Sequence, residues 1–234
     1  MKKFFEKNEI LFSILLIVIY ILVNMFCVQN FGETDYRSVI INTVLSILIL
    51  ILIIYLKRVS YYGLTKGINT KQCLYFIPLI LIVSVNLWNG ININNSKTEI
   101  LFHILTMINI GFLEEIIFRG FLFKAMAKDN IKSAVIVTSL TFGIGHIVNL
   151  LNGADFIPTV FQIISAVSIG YLFVTIFDKS KTLLPCIITH ALINSLSIFN
   201  GDNLIIFYIS STFLIVFPII YVLIIKKLNK IKNN

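Results

Sequence analysis

Charge is scarce in this chain: 13% of its 234 residues are Asp, Glu, Lys or Arg, against about a quarter in a typical soluble domain. With 58% of the residues hydrophobic and a mean hydropathy of +0.94, that deficit excludes an ordinary water-soluble enzyme and a disordered chain. One small core could not bury so much apolar surface. Cysteine is scarce as well. Cys27, Cys73 and Cys186 fall in or beside different apolar segments, an odd and dispersed set that argues against a disulfide framework or a thiolate metal centre. No small-residue cleavage site follows Val23, so the N-terminal apolar run reads as a retained span. The net charge of +8 is no nucleic-acid signal, because 18 of the 19 Lys and Arg lie between apolar runs or at the chain ends. There they set topology and meet anionic headgroups. The expected surroundings are a lipid bilayer, with no nucleic acid.

What the chain has in abundance is long apolar runs. A hydrocarbon core of about 30 Å takes about 20 apolar residues per helix, and such runs lie near 10–28, 38–56, 73–88, 100–123, 133–151, 156–177, 182–199 and 204–225. The third is short and carries Pro78; Pro185 falls in the first turn of the seventh, where its missing N–H costs little. The expected fold is all-α: a polytopic transmembrane bundle of about eight helices forming a single integral membrane domain over 1–234. Within it, 1–99 holds the N-terminal helices, 100–200 the core, and 201–234 the last helix and a basic tail. The loops alternate in charge, one set holding 16 Lys and Arg and the intervening set only Arg37 and Lys97. Positive-inside bias then puts both termini in the cytoplasm.

Within the spans the conspicuous exceptions to Ile, Leu, Val and Phe are Glu114, Glu115 and Arg119 in the fourth, His146 in the fifth, and His190 with Asn194 in the seventh. A charged side chain near the middle of a membrane helix costs roughly 2.5–3.5 kcal/mol on insertion scales, so these groups must be satisfied by one another or by water. At ~1.5 Å per residue from the cytoplasmic Lys of each helix, Glu114 lies ~15 Å deep, His190 ~13 Å, Asn194 ~19 Å and His146 ~21 Å. Three helices thus carry polar groups to one stratum, and the expectation is a single wet cavity opening inward. Glu115 and Arg119, four apart, can pair along their helix, leaving Glu114 about 100° away to face the cavity. Phe142 and His146 share a face; Gly143 and Gly145 between them let a neighbouring helix or a substrate come close. A carboxylate beside a histidine in a low-dielectric pocket is a general base able to activate water. A histidine and an asparagine one turn apart offer donors to an oxyanion.

Glu114-Glu115-x-x-x-Arg119, Phe142-x-x-x-His146 and His190-x-x-x-Asn194, in that order on separate spans, resemble the three motifs of the CPBP family, the CAAX protease and bacteriocin-processing (Abi) enzymes that include the type II CAAX prenyl endopeptidases. The resemblance covers roughly 100–200. It implies an intramembrane endopeptidase in which Glu114 and His146 activate water, His190 and Asn194 stabilise the oxyanion, and Glu115, Arg119 and Phe142 give support. It also implies a peptide or protein substrate at the cytoplasmic membrane face, such as a bacteriocin or signalling-peptide precursor in a bacterial cell membrane, or a prenylated C-terminus in a eukaryote. The Ile-, Lys- and Asn-rich composition points to an AT-rich bacterial source. Family members carry the label metalloprotease, and Glu114, His146 and His190 could form a His₂Glu zinc shell. No H-E-x-x-H is present, and a cofactor-free glutamate mechanism is the preferred expectation.

Other readings stay open on the residues alone. Intramembrane Glu and His also build the proton relays of transporters, and a catalytically idle immunity or scaffold protein could keep the motifs. Cys186, one turn before His190, is expected to pack, not to act as a nucleophile. His103, some 16 Å from Glu114 along its helix, reads as interfacial or packing, and Ala166 with Gly170 as a helix contact. The tail ends in Asn234 without a terminal Cys, so the chain is not itself expected to be prenylated.

Overall fold

A computed structural model of the chain describes residues 2–65 and 75–233, with side chains as far as 228. Cys73, which begins the third apolar run, lies outside the described residues, as do Lys66 and Lys71. The regular structure among the described residues is all helix, with no strand, as apolar segments must be where no water can satisfy the backbone.

The elements run α1 (Lys2–Lys7), α2 (Glu9–Asn30), α3 (Tyr36–Tyr55), α4 (Leu79–Ser84), α5 (Lys97–Glu115), α6 (Ile131–Gly145), α7 (Val148–Leu151), α8 (Phe156–Ser180), α9 (Leu184–Leu196) and α10 (Leu204–Asn233). Beyond Glu115, α5 continues as a π-helical stretch, Ile116–Phe123, and a last turn, Lys124–Met126. Local chemistry sets the starts. The Asn8 side chain accepts from Leu11 N and the Asn130 side chain from Ser133 N. Ser96 and Glu99 form a reciprocal capping box on α5, each satisfying a backbone N–H with no helical partner. Pro185 sits in the first turn of α9, and α8 stops at Lys181 in the left-handed conformation, φ 60°.

Six helices, counting α5 to Met126 and α6 to Leu151 as continuous, are long and apolar enough to cross a membrane. Large apolar side chains such as Leu22, Leu48, Ile54 and Leu223 are more than half exposed on their outer faces, a lipid-facing belt that water would not tolerate. The chain is an integral multi-pass membrane protein. The other two of the eight expected spans are short. The apolar segment Leu184–Phe199 rises only ~24 Å, and α4 with its 3₁₀ turn Val85–Leu87 is shorter still. They pack against each other and within the bundle. The fifth run also breaks: α6 ends at Gly145, and His146 is its C-cap.

Two glycines allow close helix–helix approaches. A Cβ on Gly111 of α5 would lie 2.8 Å from Ala191 N of α9, and one on Gly143 of α6 would lie 2.8 Å from Ile163 O of α8. The first crossing fixes the site, since Gly111 is one turn before Glu114 and Ala191 follows His190. Gly145 has nothing within 4 Å of its missing Cβ. Gly111→Ala must therefore push α9 off α5, at a cost of about 1–3 kcal/mol. Thermal unfolding in detergent is expected to show a melting temperature lowered by several degrees for Gly111→Ala and unchanged for Gly145→Ala.

Candidate active site

Because Gly111 lets α9 lie against α5, His190 sits between the two consecutive glutamates. Its Nδ1 donates to Glu115 Oε1 at 2.9 Å, and its Nε2 lies 3.2 Å from Glu114 Oε2. Glu115 also pairs with Arg119 at 3.0 Å, both side chains wholly buried. The guanidinium lies 4.0 Å from the centroid of the Phe142 ring, a cation–π contact strengthened by desolvation. Phe142 in turn meets His146 and His190 edge-on, at 5.4 and 5.7 Å between centroids. The second carboxylate oxygen of Glu114 accepts from Tyr20 Oη of α2 at 2.6 Å. Residues from spans four, five and seven thus meet, together with one from the first span.

The spacing expectation that Glu115 pairs with Arg119 matches the geometry. Glu114, however, is not left facing a cavity alone. It is engaged by Tyr20 and His190, while His146 stands across Phe142 from His190 and lines the cavities on either side. The smaller cavity, about 50 Å³, is bordered by Tyr20, Asn24, Glu114, Phe142, His146 and Asn149. A water needs about 10–15 Å³ on this measure, so water fits beside the Glu114 carboxylate. The larger, about 240 Å³, is bordered by His146, His190, Asn194, Asn86, Gln162 and Ser165 among others.

Both cavities lie toward one end of the bundle. Asn149, Gln162, Asn194 and the first turns of α10 that border these spaces lie toward the ends joined by 31–35, 152–155 and 200–203, away from the lysine-rich loops. Depth counted from the lysine end hid this, because at ~21 Å His146 is nearer the other side of a core of about 30 Å.

His190 is engaged on both ring nitrogens by glutamates, and among the described residues no three His, Cys, Asp or Glu side chains gather as they would around a metal ion. Cys186 is fully buried and donates to Phe173 O at 3.6 Å, and Cys27 is likewise buried. Gly170 makes the expected contact, its missing Cβ 3.4 Å from Ser139 Cα of α6, while Ala166 borders the larger cavity.

Motif reading missed Tyr20, Asn24 and Asn86. The signal available was a polar group inside an apolar run. Asn86 Nδ2 donates to Ile193 O at 2.6 Å, steadying the turn before Asn194. His103 does the same: its Nε2 lies 3.1 Å from Asn194 O and its Nδ1 3.7 Å from Glu33 Oε2. Removing Arg119 would strand Glu115 in a dry interior, at about 3–5 kcal/mol for a broken buried pair. Arg119→Leu is therefore expected to melt far below Glu114→Gln, which keeps an acceptor for Tyr20 at the cavity edge; thermal unfolding in detergent measures both.

Neither the curated proteins nor the solved structures give a match to this chain. Residues 96–196 match the family model of the type II CAAX prenyl endopeptidases, Rce1-like. The segment that builds the glutamate–histidine cluster, from the cap of α5 to the last turn of α9, is therefore the part of the chain that is similar to the Rce1-like CAAX endopeptidases.

Proposed function

We propose that the chain is an intramembrane endopeptidase that cleaves a peptide bond of a membrane-associated peptide or protein with a Glu114-activated water. The observation that carries this reading is the partition: a water-sized cavity at the Glu114 carboxylate and a larger one at His190 and Asn194, divided by Phe142 and His146.

In the proposed reaction the scissile amide enters the larger cavity, and water from the smaller meets it at the edge of His146, whose ring borders both spaces. Glu114 takes a proton from the water as its oxygen bonds to the carbonyl carbon. The proton that Glu114 gains weakens its hold on His190, and Nε2–H of His190 with the Asn194 amide receives the developing oxyanion, as preorganised donors do in a water-poor site. The intermediate collapses, the C–N bond breaks, and Glu114 returns the proton to the departing amine. Glu115 and Arg119 hold His190 in place throughout. Tyr20, donating to Glu114, keeps the carboxylate aimed at the water. A carrier needs a polar path across the bilayer, whereas the rings of Phe5, Phe12, Tyr62 and Phe121, 4.8–6.2 Å apart, close the lysine-rich end.

Glu114→Gln and His146→Ala are expected to lower cleavage by about 10²–10⁴-fold, the usual scale for general acid–base groups, and to leave uncleaved substrate in a membrane peptidome compared with wild type. Cleavage surviving both substitutions in well-expressed protein would leave an idle scaffold as the correct reading. Purified protein is expected to keep its activity in a strong chelator, and stoichiometric zinc lost together with activity would overturn the cofactor-free mechanism.

A further inference from the structure

We infer that the scissile segment reaches the site from the side of the membrane opposite the lysine-rich loops, so that the substrate is the extracytoplasmic, membrane-proximal part of an exported or membrane-anchored polypeptide. This rests on the protease reading and adds a direction and a substrate class to it.

Three independent observations agree. The first is the mouth. The larger cavity is bordered by Pro158 and Gln162 in the first two turns of α8, by Asn194 and Ser197 at the end of α9, and by Phe207 and Ser211 in the first turns of α10. All of these sit at one end of the bundle. The second is a seal at the other end. All eight residues of Ile116–Phe123 are buried, and Phe121 packs among Phe5, Phe12 and Tyr62 while Phe123 packs on Phe177. Nothing the size of a peptide passes this aromatic layer without unpacking it. The third is charge. Among the described residues the sealed end carries 14 Lys and Arg, and the open end carries two, Arg37 and Lys97, of which Arg37 is already paired with Asp35 at 2.8 Å. Short-loop Lys and Arg stay cytoplasmic, so the open end faces out.

The dimensions narrow the class. His146 is five residues from Leu151, Asn194 five from Phe199 and His190 nine from Phe199, the outer limits of their segments, so the reacting groups lie ~8–13 Å below those limits. Two to four extended residues at about 3.3 Å each cover that distance. The bond cut therefore lies within a few residues of the outer membrane face, or near one end of a released peptide. Among the described residues no Asp, Glu, Lys or Arg borders the larger cavity; its polar groups are amides, hydroxyls and imidazoles, including Asn86, Gln162, Ser165 and Ser211. Such a lining satisfies an extended backbone and accepts uncharged side chains next to the scissile bond, while a buried charge there would go unpaired.

The test is labelling of single cysteines by a membrane-impermeant maleimide, in full-length protein with Cys27, Cys73 and Cys186 replaced by Ser. Gln162→Cys reports the mouth and Asp129→Cys the sealed end; both positions are exposed. The expected result is at least tenfold more labelling of Gln162→Cys than of Asp129→Cys in intact cells, with the difference removed by permeabilisation. Labelling of Asp129→Cys alone in intact cells, or failure of Gln162→Cys to label even after permeabilisation, would overturn the inference. Neither outcome depends on catalysis, so the Glu114→Gln comparison above judges the protease reading separately.

Discussion

His190 between two glutamates is the constraint on which the rest of this structure turns. Two glutamates and one guanidinium are buried side by side, and the His190 ring bridges the two carboxyl groups at 2.9 and 3.2 Å. A paired set of this kind survives inside a bilayer because each member's desolvation is offset by a neighbour. The pairing holds only while α5 and α9 stay close. Glycine at 111 is what allows that approach, since any side chain there meets the backbone of Ala191. The arrangement is also directional. Glu115 and Arg119 are completely buried, whereas Glu114 touches the cavity edge. One glutamate thereby becomes scaffold and its neighbour in sequence becomes the group that can meet water.

The three motif helices were legible from sequence for a plain physical reason. A Glu, Arg or His in an apolar run is expensive, and equal depths on three helices leave mutual satisfaction as the economical explanation. Neutral polar residues carry no such cost. Tyr20 looks like an interfacial tyrosine and Asn24 like a tolerated amide, and only the packing of α2 on the π-helical stretch brings Tyr20 to Glu114. The helix break at His146 was half visible in Gly143 and Gly145, which turn out to do different things: the first admits α8, the second leaves the cavity open. The shortness of α9 and of α4 was not visible, because apolar length alone does not separate a spanning helix from one enclosed by its neighbours. The direction of the opening was hidden for a different reason, since counting from the lysine end says how deep a group lies and nothing of which end is packed shut.

That packing explains a further asymmetry. At the lysine-rich end the chain spends its aromatic residues, and Phe5, Phe12, Tyr62, Phe121, Phe123 and Phe177 are all buried there. Aromatic rings fill volume with little rotamer freedom to lose and interlock edge to face. At the opposite end the short helices α4 and α9 stop early, and the side chains that border the gap are small or uncharged. A long helix in the place of α9 would have filled this space. A shortened helix ending at Leu196, followed by a 3₁₀ turn, leaves this space open with His190 and Asn194 on its border. His103 and Asn86 then supply what the missing turns would have given, by holding the backbone carbonyls of Asn194 and Ile193.

Phe142 ties the two halves together. Its ring is held by Arg119 at 4.0 Å and meets both imidazoles edge-on, so one residue touches the charged scaffold, His146 and His190. An aliphatic side chain of similar volume could fill the wall between the cavities, but it would offer Arg119 no negative face and the imidazoles no ring to stand against. The orientation of His146 depends on this contact, because at the C-cap of a broken helix its backbone alone does not fix the side chain. An aromatic residue one turn before the histidine therefore follows from the geometry: it sets the angle at which the water-side imidazole faces Glu114, and it does so from a position that the buried Glu115–Arg119 pair keeps rigid.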